Sequence, residues 1–213
     1  MKKCLFVFIT LTIGFISCQK GITDAIDTGD TGGDNNGGDT AVLNALKGLW
    51  NFTSAGANTQ NSVEFTIDGE TDKSLSVTNY TSQNNNGTLV IDDSIFHLNN
   101  FTYVIDTSIK TYSYINDTLV DSINVPLTYY VPASNLSAKY KLIGTDSVYF
   151  PEGGFVLPGN DSTTSKPYGL KFNITGNVLK LTQNISVDTT AVVLGITHHE
   201  TATGTGTLLF QKP

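Results

Sequence analysis

The sequence predicts an all-β chain, an antiparallel up-and-down β-barrel preceded by a short N-terminal helical turn. Three observations predict it. Runs rich in β-branched and aromatic residues, with apolar side chains at alternate places, recur from Phe52 to Phe210. Gly, Asn and Asp pairs separate these runs. Residues 42–46 are the one convincing helical patch, about one turn to a turn and a half long. No fixed period recurs, which argues against a propeller or solenoid.

The first element is an export signal. Lys2 and Lys3 supply a basic start and residues 5–16 an apolar run. That run is short of the roughly 20 residues a membrane-spanning helix needs, so residues 1–17 read as a cleaved signal peptide. Phe15-Ile16-Ser17-Cys18 resembles a lipobox, the cleavage site before a lipidated cysteine. Phe15 and Ile16 stand where that pattern usually has Leu and Ala or Gly, and a plain secretory signal is the alternative. The expectation is an outer-membrane lipoprotein anchored through acyl chains, such as palmitate, at Cys18, each buried methylene contributing ~0.8 kcal/mol. Cleavage removes Cys4 and lipidation occupies Cys18, so the core must hold without a disulfide.

Residues 18–41 follow as the lipidated cysteine and a flexible Gly/Asp-rich linker. Such a chain reaches ~25 Å root-mean-square, enough to hold a domain clear of the head groups. Gln19-Lys20 with Asp24, Asp27 and Asp30 resembles the surface-export tag of Bacteroidetes lipoproteins, which implies the cell surface. The acids are spaced rather than consecutive, and a solvated acidic linker is the alternative.

Residues 42–213 suit one domain with a sizeable core. Its strand candidates include alternating Val63, Phe65 and Ile67, then Leu89-Val90-Ile91, Thr102-Tyr103-Val104-Ile105 and Ser147-Val148-Tyr149-Phe150. Asp68-Gly69, Asn86-Gly87, Gly153-Gly154, Gly159-Asn160 and Gly176-Asn177 read as turns. Residues 171–174 and 178–181 read as a hairpin around Gly176-Asn177. Residues 106–135 exceed what a short-stranded barrel needs and form an extended hairpin or a lid.

Gly48-Leu49-Trp50, directly after the helical patch, resembles the Gly-x-Trp signature of lipocalins. Residues 204–212 resemble a closing strand that ends in a basic residue. The stretches 146–150 and 176–181 are similar to lipocalin-like lipoproteins of the Bacteroidetes. The resemblance implies that Trp50 caps the closed end of a barrel, that Gly48 permits close packing at the bend, and that Lys212 covers the indole. A β-sandwich with one core tryptophan is the alternative.

The composition limits function. The net charge of −7 becomes −9 once Lys2 and Lys3 are cleaved, and all twelve basic residues are lysines. An acidic chain without arginine is a poor ligand for nucleic acid. Membrane contact is expected through the lipid anchor alone. His198-His199-Glu200 is the one cluster with metal-binding chemistry. On a strand His198 and Glu200 share a face, and His97 is the candidate third ligand from elsewhere in the chain. Adjacent histidines among threonines are more often solvated, so these are weak candidates and no metal is expected. No nucleophile motif occurs, and the aspartates read as turn caps. Neither catalysis nor a cofactor is expected.

Asp followed by Ser or Thr recurs, and it resembles the O-glycan acceptor of exported Bacteroidetes proteins. Thr40 in the linker is the favoured acceptor. Tyr112, Tyr114, Tyr129 and Tyr130 would line a pocket only if they share a concave face. The expected function is non-covalent capture of a small apolar or amphipathic molecule, or a glycan, at the barrel's open end. The alternative is a structural or partner-binding envelope lipoprotein with a filled barrel. The oligomeric state is left open.

Overall fold

The computed structural model describes residues 37–67, 69–154, 167–193 and 196–213. The lipobox at Cys18, most of the linker and the Gly159-Asn160 turn lie outside the described residues. Helix α1 spans Gly37–Leu46 and begins within the stretch expected to be linker. Glycine is accepted at a helix start. Ten strands follow: β1 (Gly48–Ile67), β2 (Glu70–Thr81), β3 (Gln83–Ile91), β4 (Ile95–Ile115), β5 (Thr118–Lys139), β6 (Lys141–Ile143), β7 (Ser147–Phe150), β8 (Tyr168–Thr175), β9 (Val178–Val193) and β10 (Ile196–Gln211).

Every pairing is antiparallel, and the meander returns to its start where β10 pairs β1. β2 and β3 form one line between β1 and β4, broken at Ser82. β5 and β6 form another, broken at Tyr140. Up to Lys139 the chain pairs with β4, and from Lys141 it pairs with β7. The ten segments therefore occupy eight positions in an up-and-down barrel wall. At the hand-over the Tyr140 amide donates to the Ser94 carbonyl (2.8 Å) and its hydroxyl to the Asp92 carbonyl (2.8 Å). Phe96 packs edge-on against both Tyr140 and Phe150, so aromatic rings seal the seam where ladder bonds stop.

Two irregularities shape the wall. β1 slips register between Phe52 and Ser54, opposite the β2/β3 break. There buried Ser82 satisfies the freed backbone. Its amide donates to the Ala55 carbonyl (2.7 Å), its hydroxyl accepts from the Ala55 amide (2.7 Å) and donates to Asn85 Oδ1 (2.6 Å). Asn86-Gly87, expected as a turn, is instead a bulge within β3. Gly87 holds φ +123°, and a Cβ there would lie 2.8 Å from the Asn100 carbonyl oxygen and the Phe101 Cα. The Asn-Gly pair thus marks a close backbone approach rather than a reversal.

The true reversal is Asn116-Asp117, which the turn signals in the sequence do not single out. Both residues have positive φ (48° and 60°), the requirement of a two-residue type I′ turn. Asn116 fastens this tip to the next hairpin, accepting from the Thr71 amide (2.9 Å) and donating its own to the Thr71 carbonyl (2.8 Å). Residues 106–135 are therefore an extended hairpin. The Gly176-Asn177 hairpin has the expected register, with Thr175 opposite Val178.

The core sits at the end of the barrel next to α1. Trp50, Phe52, Phe96, Phe101, Phe150 and Phe210 are buried there with Leu46, Leu89, Leu170, Leu179, Leu181 and Leu208 in one contiguous cluster. Each fully buried side chain of this size stabilises by roughly 1.5–3 kcal/mol. Trp50 donates its indole N–H to the Leu46 carbonyl (2.9 Å), which closes the helix end while satisfying the ring's polar atom.

Candidate functional site

The barrel divides into two halves. Around Trp50 the interior is occupied by packed side chains, as the buried cluster shows. Beyond Ala57 and Gly206 the strands β9, β10, β1, β2, β4 and β5 run on as a six-stranded extension. Strand alternation puts Thr59, Asn61, Val63 and Phe65 on the face continuous with the core, alongside Ser74, Ser76 and Thr78. This face mixes hydroxyls with apolar groups. Ser76 and Thr111 hydroxyls share a 3.0 Å hydrogen bond, and Asn61 Nδ2 donates to Glu200 Oε1 at 3.3 Å.

Three tyrosines mark the border between the halves. The Tyr103 ring packs against Phe52 and Phe101, and its hydroxyl is buried with no hydrogen-bond partner among the described residues. Burial first, then the nearby Tyr80 and Tyr129 phenols, push its pKa far up, so it stays a neutral donor. Burial likewise raises Tyr80. A buried hydroxyl without a partner costs about 1–3 kcal/mol.

β5 contributes the most exposed apolar surface. Leu119, Val120, Ile123, Val125, Tyr129 and Tyr130 make up six of the eleven exposed large hydrophobic residues among those described. Ile123 is 54 % exposed and Tyr130 70 %. Ile123, Val125 and Leu127 share a face with Thr111, Ile109 and Thr107 of β4, whereas Tyr130 lies on the other face with Val104. Among the described residues, β5 pairs with β4 on one side and with no strand on the other. An exposed, apolar, open-edged strand is a ready template for another chain. The sequence carried this signal in residues 119–130, which hold a single charge, Asp121.

The other singled-out residues fall in separate places. Lys212 Nζ sits 4.7 Å from the centroid of the Trp50 ring and donates to the Ala45 carbonyl (3.2 Å). Gly48 has φ +119°, and a Cβ would meet nothing within 4 Å, so backbone conformation rather than close packing calls for glycine. Thr40 is exposed on α1.

The His198 ring lies tilted beside Phe65 (5.8 Å between centroids) and shares the inner face with Glu200. His199 faces outward, 2.9 Å from Asp188. His97 is not brought to this cluster. It lies beside Ser137 in the packed half, with Nδ1 2.9 Å from the Ser137 hydroxyl. Among the described residues no group of three His, Cys, Asp or Glu side chains is placed to hold a metal ion.

Two aspartates, Asp92 beside the Asp93-Ser94 pair and Asp146 in the Asp146-Ser147 pair, act on turns. Asp92 Oδ1 accepts from the Ser94 and Ile95 amides (2.8 and 2.7 Å), and these bonds, Ser94 first, lower its pKa. Asp146 is lowered chiefly by the Ser147 hydroxyl (2.7 Å), then by Lys171. No described helix is long and apolar enough to cross a membrane. Comparisons with family models, with curated proteins and with solved structures returned no match to this chain.

Proposed function

We propose that the chain is a lipid-anchored envelope protein whose lipocalin-like barrel holds a protein partner against strand β5. The carrying observation is the contrast between the two ends. The end capped by Trp50 is packed with side chains, while β5 presents apolar residues on both faces beside an open edge. A hollow carrier encloses its apolar surface in a pocket. A docking module leaves it on a strand with an unpaired edge, where a partner strand adds main-chain hydrogen bonds and buries alternate side chains. The anchor at Cys18, part of the same reading, places this surface at the outer membrane.

Capture of a small amphipathic molecule or glycan is the second reading. The Tyr103 hydroxyl, without a partner among the described residues and near Tyr80 and Tyr129, favours it. A native mass spectrum of the protein from its own cells tests it through mass that is lost on denaturation.

The docking reading is tested with a photo-crosslinking residue at Ile123 in the full chain, in the cells that make it. A covalent adduct with protein supports docking on β5. Its absence there, with efficient expression and export, overturns the reading.

A further inference from the structure

We infer that the partner of β5 is a second copy of this chain, joined edge to edge across a two-fold axis at Val125. The inference rests on the docking role of β5 and goes further by naming the occupant and its register.

The segment from Asp121 to Tyr129 is nearly self-complementary when laid antiparallel to itself about Val125. Ile123 then faces Leu127, Ser122 faces Thr128, Asp121 faces Tyr129 and Val125 faces its own copy. Apolar residues meet apolar ones and hydroxyls meet hydroxyls, the pairs that stabilise a sheet. Asp121 is the one charge in the segment. Pairing about Val125 sets it against a tyrosine, whose hydroxyl donates to a carboxylate, and holds the two carboxylates far apart. A parallel, in-register pairing would instead set Asp121 against Asp121.

The backbone agrees with this register. Pro126 has no N–H and is accommodated in a strand when its nitrogen faces the open edge. Its neighbours Val125 and Leu127 then turn their amides to β4, and Ser122 and Thr128 turn theirs outward as a hydrogen-bonded pair. Pro126 removes one donor per copy from the joint, opposite Asn124. Val125 is 44 % exposed and Ile123 54 %, so the pairing covers surface that water now wets.

Symmetry also selects β5 over the other edge of the extension. Among the described residues, β9 runs on past its pairing with β8 over residues 185–193. Joining β5 of one copy to β9 of the next would leave a free edge at each end and grow a filament. β5 with β5 closes as a dimer and consumes the apolar edge in both copies.

Cysteine at the axis reads out the register. Two residues opposite each other in a non-hydrogen-bonded pair lie about 4.5 Å apart at Cα, inside the range a disulfide spans. Val125→Cys in the full chain, displayed on its own cells under mild oxidation, is expected to give a reducible product of twice the chain mass. Asn124→Cys sits opposite Pro126 and more than about 7 Å from its own copy, so its yield should be at least ~10-fold lower. The unsubstituted chain controls for Cys4 and Cys18.

A dominant dimer from Val125→Cys supports the inference. Equal or greater yield from Asn124→Cys overturns the register. Adducts from the Ile123 photo-crosslinker of a mass other than twice the chain, with no disulfide-linked dimer from Val125→Cys, overturn self-pairing and leave docking standing. No adduct from either probe removes both.

Discussion

The ammonium of Lys212 lies 4.7 Å from the centre of the Trp50 ring, joining the last strand's exit to the first strand's start. Because Lys212 also donates to the Ala45 carbonyl and Trp50 to that of Leu46, the two side chains together close the end of α1. The two substitutions separate their roles. Lys212→Ala removes an exposed cation–π contact and should cost about 0.5–1 kcal/mol. Trp50→Ala empties the core and should cost about 3–5 kcal/mol. Urea unfolding of both variants measures this order, and equal losses would contradict it.

Ser82 answers for a broken strand. Its hydroxyl is buried and bonded to the Ala55 amide and to Asn85. Ser82→Ala leaves that amide without an acceptor, and a loss of about 1–3 kcal/mol is expected. Hydrogen exchange should quicken at Ala55 first. A variant with unchanged stability and exchange would show that the break is held otherwise.

Gly87→Ala meets backbone at 2.8 Å on two atoms and imposes a side chain on φ +123°. Strain in such a region costs of order 1–3 kcal/mol before any clash is relieved. The midpoint of thermal unfolding should fall clearly. Gly144→Ala, also at positive φ (59°) but with open space around its Cβ, should fall less.

Tyr103→Phe deletes a buried hydroxyl that has no partner among the described residues. The isolated protein should keep its stability or gain slightly, since removing an unsatisfied polar atom removes its desolvation cost. A marked loss in chemical denaturation would mean that the hydroxyl is bonded in solution. If native mass spectra reveal a bound small molecule, the same substitution should weaken its retention.

Acid should loosen the β3–β4 turn. Asp92 is held below the ordinary carboxylate range, chiefly by the Ser94 amide. A carboxylate with a lowered folded-state pKa stabilises above its unfolded value of about 3.9, and that contribution is lost as pH falls through the folded value. Asp92→Asn should therefore flatten the dependence of stability on pH below about 4. The group is largely solvated, so the change should be small. A slope identical to that of the parent chain would assign the acid response elsewhere.

Local chemistry was readable where one residue type answers one local demand. Alternation around Val63 and Phe65 announced strands and Gly176-Asn177 a two-residue turn. Asn86-Gly87 misled because the same positive-φ tolerance serves a bulge as well as a reversal. His97, His198 and Glu200 looked combinable because sequence distance carries no information on which end of a barrel a residue reaches.

By itself the sequence determined the all-β class and the antiparallel order, since periodicity and turn chemistry act over a few residues; that residues 106–135 form a hairpin rather than a lid was decided by their pairing in the sheet. Tertiary structure alone decided that Tyr140 carries one strand from β4 to β7. It also decided that the aromatic core fills one end, and that the low-charge run from Leu119 to Tyr130 has no neighbour on its outer edge among the described residues. Those outcomes depend on where distant strands run out, and strand length relative to a neighbour is a property of the assembled sheet.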